Sequence, residues 1–333
     1  MDGYGTNIRI GKLAFRCFEV HGRPSIAADI SEGHRRGIYI YRFADGRYYA
    51  GKSEDVVERY VQHRHEYRHA EDCPVVEAMW FSEVPGEDGT ELDGDETAVI
   101  TALEARGLDL VNLMKTKTPG GVGDMEIGEA PFAGLRLPWN RSQRSRIGSV
   151  PADTEAFAPY ESEGKKKRFD RLASKYYWPN LLPLLQRYVE ESITAPDRTA
   201  GVLWTATAFP AVSKAKVPRI LCLSSGNVET LVLFEKRGIP CGFMNVREDK
   251  TRGAVLSQEI TSSDVVRVDY GTARDIRRLY FDDLRQLSEL LDDVGVLDCA
   301  YRLNVEMMRK GPTMYRRFSN PWLMCALLKA GER

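Results

Sequence analysis

Two tyrosine-rich segments, GIYIY at 37–41 and RYYAGKS at 47–53, are followed by Arg59, His63, Glu96 and Asn112. These are residue types that can do chemistry. A phenol or an imidazole handles protons, a guanidinium holds anions, and a carboxylate accepts hard cations. They act together only if the fold brings them together, which makes the elements that carry them decisive.

FADG, at 43–46, lies between the two tyrosine segments, and alternating apolar residues around Asp45-Gly46 predict a β-hairpin. A two-residue loop at 45–46 pairs Arg42 with Tyr49 and splits Tyr39 from Tyr49. A three-residue loop at 44–46 pairs Tyr41 with Tyr49 and puts Tyr39, Tyr41 and Tyr49 on one face. Gly46 then occupies the left-handed position such a loop needs, and the three-residue loop is the reading adopted. Ser53 is placed to cap a helix over 54–67. On its wheel Val56, Val57, Tyr60 and Val61 form an apolar arc, with Arg59 and His63 four apart on its other edge. A third strand is expected over 77–84.

The run Asp93–Arg106, closed by Gly107, reads as another helix. Val99, Ile100 and Leu103 form its buried face, and Glu96 shares that face. A carboxylate there is costly unless it is paired or binds a metal. Each residue alone also has a structural reading. The tyrosines suit any strand, and Arg59, His63 and Lys52 suit a solvated surface. Glu96 suits a capping box opened by Asp93.

GIY followed by Y-x-G, then Arg, His, Glu and Asn in that order, resembles the GIY-YIG endonuclease domain over about residues 35–115. The ordered set is Tyr39, Tyr49, Gly51, Arg59, His63, Glu96 and Asn112. Ala50 departs from the family's usual larger aliphatic residue. So does an acidic insertion, VPGEDGTELDGDE, between the third strand and the Glu96 helix.

The resemblance implies a three-stranded antiparallel sheet flanked by helices that cuts phosphodiester bonds with one divalent metal. Glu96 would be the sole protein ligand of Mg²⁺ or Mn²⁺. Tyr39 would be the general base, its pKa lowered by the metal and Arg59. Tyr49 would orient Tyr39 or the phosphate. Arg59 would hold the scissile phosphate, and His63 would relay the proton or bind a phosphate oxygen. Lys52, Gly51 and Asn112 would lie on the substrate side, with Asn112 fixing a turn or hydrogen-bonding near the site.

The chain has 333 residues, 43 % apolar and 29 % charged, which suits a globular protein with a real core. No stretch is long and apolar enough to span a membrane, and no secretory pattern opens the chain. Six scattered cysteines without a C-x-x-C pair argue against structural zinc or a disulfide framework and for a cytoplasmic setting. The net charge of −1 hides an asymmetry: residues 1–130 sum to −9, with −10 in residues 71–100 alone, and residues 131–333 sum to +8. Charge clustering of that kind leaves a polyanionic partner open.

The expected organisation is an N-terminal extension at 1–34 with a few short strands such as 12–20, the nuclease-like α+β domain at 35–116, a Gly/Pro/Arg-rich linker at 117–168, and a separate C-terminal α/β domain at 169–333. Within that last domain, helices are expected at 180–193 (capped by Asn180), 227–237, 272–294 (capped by Thr272), 296–309 and 321–330. Strands are expected at 219–224, 239–247 and 264–269, the first two enclosing a β-α-β unit. Basic clusters at Arg141/Arg144/Arg146 and at 165–168, and Arg274, Arg277, Arg278 and Arg285 on the 272–294 helix, are either solvated or phosphate-facing.

The function this reading supports is a metal-dependent DNA endonuclease, restriction-like or phage-defence-associated. The C-terminal region would choose the target, bind a protein partner or form a homodimer. The predicted site reads phosphate and not sugar, so RNA stands beside DNA as a substrate. The alternatives are a partner-recruited nicking or structure-specific nuclease, and a non-catalytic DNA-binding protein that keeps the fold.

Overall fold

The structure is a computed structural model, and it describes residues 7–68, 75–86, 89–127, 132–148, 162–210, 217–261, 265–270 and 273–329. The chain is mixed α+β and divides into two compact units, Met1–Val122 and Gly123–Arg333.

In the first unit the elements run β1 (Asn7–Ile10), β2 (Leu13–Glu19), β3 (Gly37–Phe43), β4 (Tyr48–Ser53), α1 (Val56–Arg68), β5 (Val76–Glu83) and α2 (Gly89–Ala105). The antiparallel sheet has the order β1-β2-β5-β3-β4. It has five strands where three were expected, because the short strands of the N-terminal segment pair into it, the strand expected at 12–20 as β2. Arg16, Cys17, Phe18 and Glu19 pair with Phe81, Trp80, Met79 and Ala78. Ile26 and Ile30 pack with α1, and the Tyr60 hydroxyl donates to the carbonyls of Val20 and Arg23 at 3.1 and 2.9 Å.

Alternation along β3 explains the two-sided core. Ile38 and Ile40 face α2, where they meet Val99, Ile100 and Leu103. Tyr39 and Tyr41 face α1, where they meet Val56, Val57 and Tyr60. Tyr41 pairs with Tyr49, and Gly46 has φ +84°, as the three-residue loop requires. The end of α2 closes as a Schellman motif: Gly107 has φ +75°, Leu108 N–H donates to Leu103 C=O and Gly107 N–H to Glu104 C=O.

Two local expectations are corrected. Asp55, not Ser53, caps α1: its Oδ1 accepts from Val57 N–H at 2.8 Å and Glu58 N–H at 3.1 Å. Val61 is 47 % exposed while His63 is 5 % exposed, so the imidazole and not the valine enters the core.

The second unit holds β6 (Met125–Ile127), β7 (Leu135–Leu137), α3 (Glu163–Ala173), α4 (Trp178–Ser192), α5 (Pro196–Thr199), β8 (Trp204–Ala208), β9 (Arg219–Ser225), β10 (Val228–Lys236), β11 (Ile239–Val246), α6 (Gln258–Thr261), β12 (Val265–Val268), β13 (Ile276–Phe281), α7 (Leu284–Asp292), α8 (Val294–Arg309) and α9 (Pro321–Leu328). Strands β8 to β13 form one antiparallel sheet, ordered β12-β13-β11-β10-β9-β8. Helices α4, α7, α8 and α9 contribute to the core on one of its faces.

The expected β-α-β unit is therefore a meander. The span 227–237 is a strand, held between two tight hairpins. Gly226-Asn227 turns with Gly226 at φ +53°, and Arg237-Gly238 turns with φ +54° and +84°. The expected 272–294 helix is strand β13 followed by α7, which Asp283 caps through Gln286 N–H at 2.8 Å. Thr272 lies outside the described residues. Helix α4 begins at Trp178 with Pro179 in its first turn, so Asn180 is not its cap.

Much of the expected linker also belongs to this unit. Leu135, Leu137 and Trp139 are buried in its core. Arg309 donates to the Leu137 and Gly123 carbonyls and stacks on Trp139, 3.8 Å from the ring centre. The basic cluster is engaged as well: Arg141 pairs with Glu191 and Asp298, and Arg144 with Glu191. Arg277 pairs with Glu248 at 3.3 Å and Arg278 lies over Phe243, so neither sits on a helical basic face. Among the described residues no helix is long and apolar enough to cross a membrane.

Candidate active site

Four of the expected residues converge on the α1 face of the first sheet. The Tyr39 hydroxyl lies 3.0 Å from His63 Nε2, and Arg59 Nε donates to it at 3.4 Å. Arg59 and His63 are one turn apart on α1, so one helix delivers both. Tyr49 stands beside them, its ring centre 6.0 Å from that of Tyr39 and 5.3 Å from that of His63. Tyr39 is 1 % exposed, whereas Tyr49 and Arg59 are half-buried and border the cluster.

Gly51 sits directly opposite Tyr39 in the sheet. A methyl group at position 51 would stand 2.5 Å from the Tyr39 hydroxyl oxygen. The glycine of the Y-x-G motif therefore makes the room in which that hydroxyl meets His63.

The electrostatics derive from burial. Burial pushes the Tyr39 phenol well above its ordinary pKa, with Tyr49 adding to the effect and Arg59 opposing it. Arg59 acts in the expected direction, but burial outweighs it and Tyr39 is held as a neutral hydroxyl. Burial, and then the Arg59 charge, lowers His63 to about 4. At neutral pH the imidazole is uncharged, so its Nε2 can accept the Tyr39 proton.

Glu96 belongs to a second cluster. β4 is an edge strand, and along it Gly51 faces Tyr39 while Lys52 turns towards α2. Lys52 Nζ reaches Asp93 Oδ1 at 2.8 Å. Lys115 Nζ joins Asp93 Oδ1 at 2.8 Å to Glu96 Oε2 at 2.5 Å. The Asp93 carboxyl is held down near 2 by its hydrogen bonds to Lys115 and Lys52. The expected metal ligand is thus paired with an ammonium, one of the two outcomes that a carboxylate on an apolar face demands. Of the acidic insertion, Glu87 and Asp88 lie outside the described residues. Glu91 and Asp95 both pair with Lys12.

Asn112 fixes local backbone, one of the two roles expected of it. It is buried, donates to Ala50 C=O at 2.7 Å and accepts from Ala50 N–H at 3.0 Å. Both ends of its amide are spent on the outer edge of β4, so it holds the strand. The adjoining chain continues this cover, with Tyr48 N–H bonded to Asp109 C=O and Val111 N–H to Tyr48 C=O.

Lys115 had no signal of its own in the sequence. The demand of Glu96 for a counter-charge was the one clue to it. Among the described residues no group of three or more His, Cys, Asp and Glu side chains is positioned for a metal. Of the histidines near His63 in sequence, His69 lies outside the described residues, as does the side chain of His65.

Comparison of the chain with protein-family models, with curated proteins and with solved structures returns no match.

Proposed function

We propose that the unit Met1–Val122 is a metal-dependent endonuclease of the GIY-YIG type that hydrolyses DNA. The observation that carries this reading is the Tyr39–His63 contact at 3.0 Å, with Arg59 at its side and Gly51 beneath it. A buried tyrosine, a neutral imidazole and a permanent cation at one point are the side-chain types that a hydrolytic site uses, which supports the reading.

Arg59 binds and orients the scissile phosphate and offsets the charge that grows on it. Tyr39 directs its hydroxyl at the attacking water. His63 holds the Tyr39 hydroxyl in place through Nε2 and receives its proton as Tyr39 takes one from the water. Tyr49 borders the substrate side of the cluster.

The donors on α2 fit a hard cation. Asp93 and Glu96 already bracket one positive charge through oxygen atoms alone. Glu96 would hold Mg²⁺ or Mn²⁺, which when bound neutralises phosphate charge and stabilises the leaving oxygen. The second unit, with its separate core, is the module that selects the target or a partner.

A second reading, a nucleic-acid-binding module without cleavage, draws on the near-complete burial of Tyr39 and on the ammonium at Glu96.

The deciding experiment is plasmid and RNA cleavage with Mg²⁺ or Mn²⁺ by the full chain, beside Tyr39→Phe and Glu96→Gln. Metal-dependent cutting lost in both variants supports the nuclease. Discrete fragments mean sequence specificity; nicks mean that a partner or a DNA structure supplies it. Binding without cutting favours the second reading.

A further inference from the structure

Lys115 is a cation that the tyrosine cluster does not use. Its Nζ touches three oxygens: Glu96 Oε2 at 2.5 Å, Asp93 Oδ1 at 2.8 Å and the Asp93 carbonyl at 3.2 Å. Two carboxylates and a backbone carbonyl are the donor types that hard divalent cations take. An ammonium stands among them instead.

The placement is built into the fold. Lys115 has φ +62°, a left-handed backbone that a lysine rarely adopts. On one side the chain is fixed by Asn112, locked onto Ala50. On the other side Glu104 gathers the next residues, accepting from the Thr116 hydroxyl and from Lys117 N–H at 2.9 Å. Gly120 N–H closes the loop onto Asn112 C=O at 3.0 Å. Lys115 is therefore delivered over α2 from a tethered loop.

Charge balance sets the occupancy of these oxygens. Asp93 and Glu96 carry two negative charges, and Lys52 and Lys115 carry two positive ones. The cluster is thus neutral with both lysines in place. A divalent ion added to it would leave two uncompensated positive charges against a Glu96 side chain that is 14 % exposed. The ion and the ammonium compete for the same oxygens. Lys115, on a long flexible stem and 29 % exposed, can leave for solvent without moving its backbone.

We propose that Lys115 is a resident counter-ion that occupies a divalent-cation site formed by Glu96 and Asp93 and must be displaced before the metal binds. The proposal takes the presence of a divalent site from the nuclease reading and adds the competition.

The test is Mn²⁺ binding to the full chain without nucleic acid, read as loss of the free aquo-ion signal by electron paramagnetic resonance. Lys115→Met should bind Mn²⁺ at least about tenfold more tightly than the wild type. Lys115→Arg, which keeps the charge, should stay near the wild type. Adding Glu96→Gln to Lys115→Met should abolish the gain. Lys115→Gly suits the left-handed backbone, removes the same charge and should match Lys115→Met, so a misfolded methionine variant does not decide the matter.

Glu96-dependent Mn²⁺ binding that is equal in the wild type and in both uncharged variants would overturn the competition and leave the nuclease reading standing. No Glu96-dependent binding in any variant would overturn the competition together with the metal part of that reading.

Discussion

Gly51 and Tyr39 lie opposite one another in the sheet, and the backbone of Gly51 leaves just enough space for the Tyr39 ring. A Cβ at 51 would meet Tyr39 Oη at 2.5 Å, Tyr39 Cζ at 2.6 Å and Tyr49 Cε1 at 3.0 Å. The ring is fully buried and packed on Tyr41 and His63, so it has nowhere to retreat.

Gly51→Ala is therefore expected to break the Tyr39–His63 contact. Overpacking of this kind costs about 1–3 kcal/mol, and cleavage should fall about a hundredfold, the scale for misplacing a reacting group. Thermal melting and plasmid cleavage check both. Gly33→Ala, which meets no atom within 4 Å, is the control and should change neither.

His63 gives a pH signature. Its folded pKa, lowered to about 4, lies below the ordinary value of 6.5. Between those values the unfolded chain binds a proton that the folded protein refuses. Stability is thus full above about pH 6.5 and declines as pH falls towards 4. At ~1.4 kcal/mol per unit the loss is about 3 kcal/mol. Urea unfolding at pH 7.5 and pH 5 should already differ by about 2 kcal/mol from this group. His63→Asn should remove this component, leaving a smaller difference between the two pH values. Cleavage by the wild type should show no step near pH 6.5 from this imidazole.

Asn112 is a stability residue on this geometry. Asn112→Ala leaves the buried N–H and C=O of Ala50 without their side-chain partner, at about 1–3 kcal/mol each. Urea denaturation should show a loss of about 2–5 kcal/mol. An unchanged midpoint with lost cleavage would place Asn112 on the substrate instead.

Arg309 makes the corresponding prediction in the second unit. It is 1 % exposed, bonded to the Leu137 carbonyl and stacked on Trp139. Arg309→Met should cost about 1–3 kcal/mol, since the buried Leu137 carbonyl loses a charged donor. It should also open the 123–139 segment to limited proteolysis, with cleavage sites mapped by mass spectrometry.

Short-range order was legible from the chain alone. The Asp45-Gly46 loop and the alternation around it led to the pairing of Tyr41 with Tyr49, because a hairpin's register is set within a dozen residues. Gly107 closed α2 where expected, since a left-handed C-terminal residue is a local requirement. The apolar arc of α1 brought Arg59 and His63 towards the tyrosines for the same reason, although it misjudged Val61.

The tertiary structure decided everything that depends on partners distant in sequence. VETLVLFEK and IRRLYF carry apolar runs that suit a buried helix or a buried strand equally. They are strands because the neighbouring strands take their backbone hydrogen bonds and helices such as α8 cover the sheet. The N-terminal strands joined the first sheet because β5 had an open edge to pair. Glu96 advertised a need for positive charge, and periodicity put it on the right face. That the charge comes from Lys115, nineteen residues on, is decided only by the loop that Asn112 and Glu104 fasten over α2.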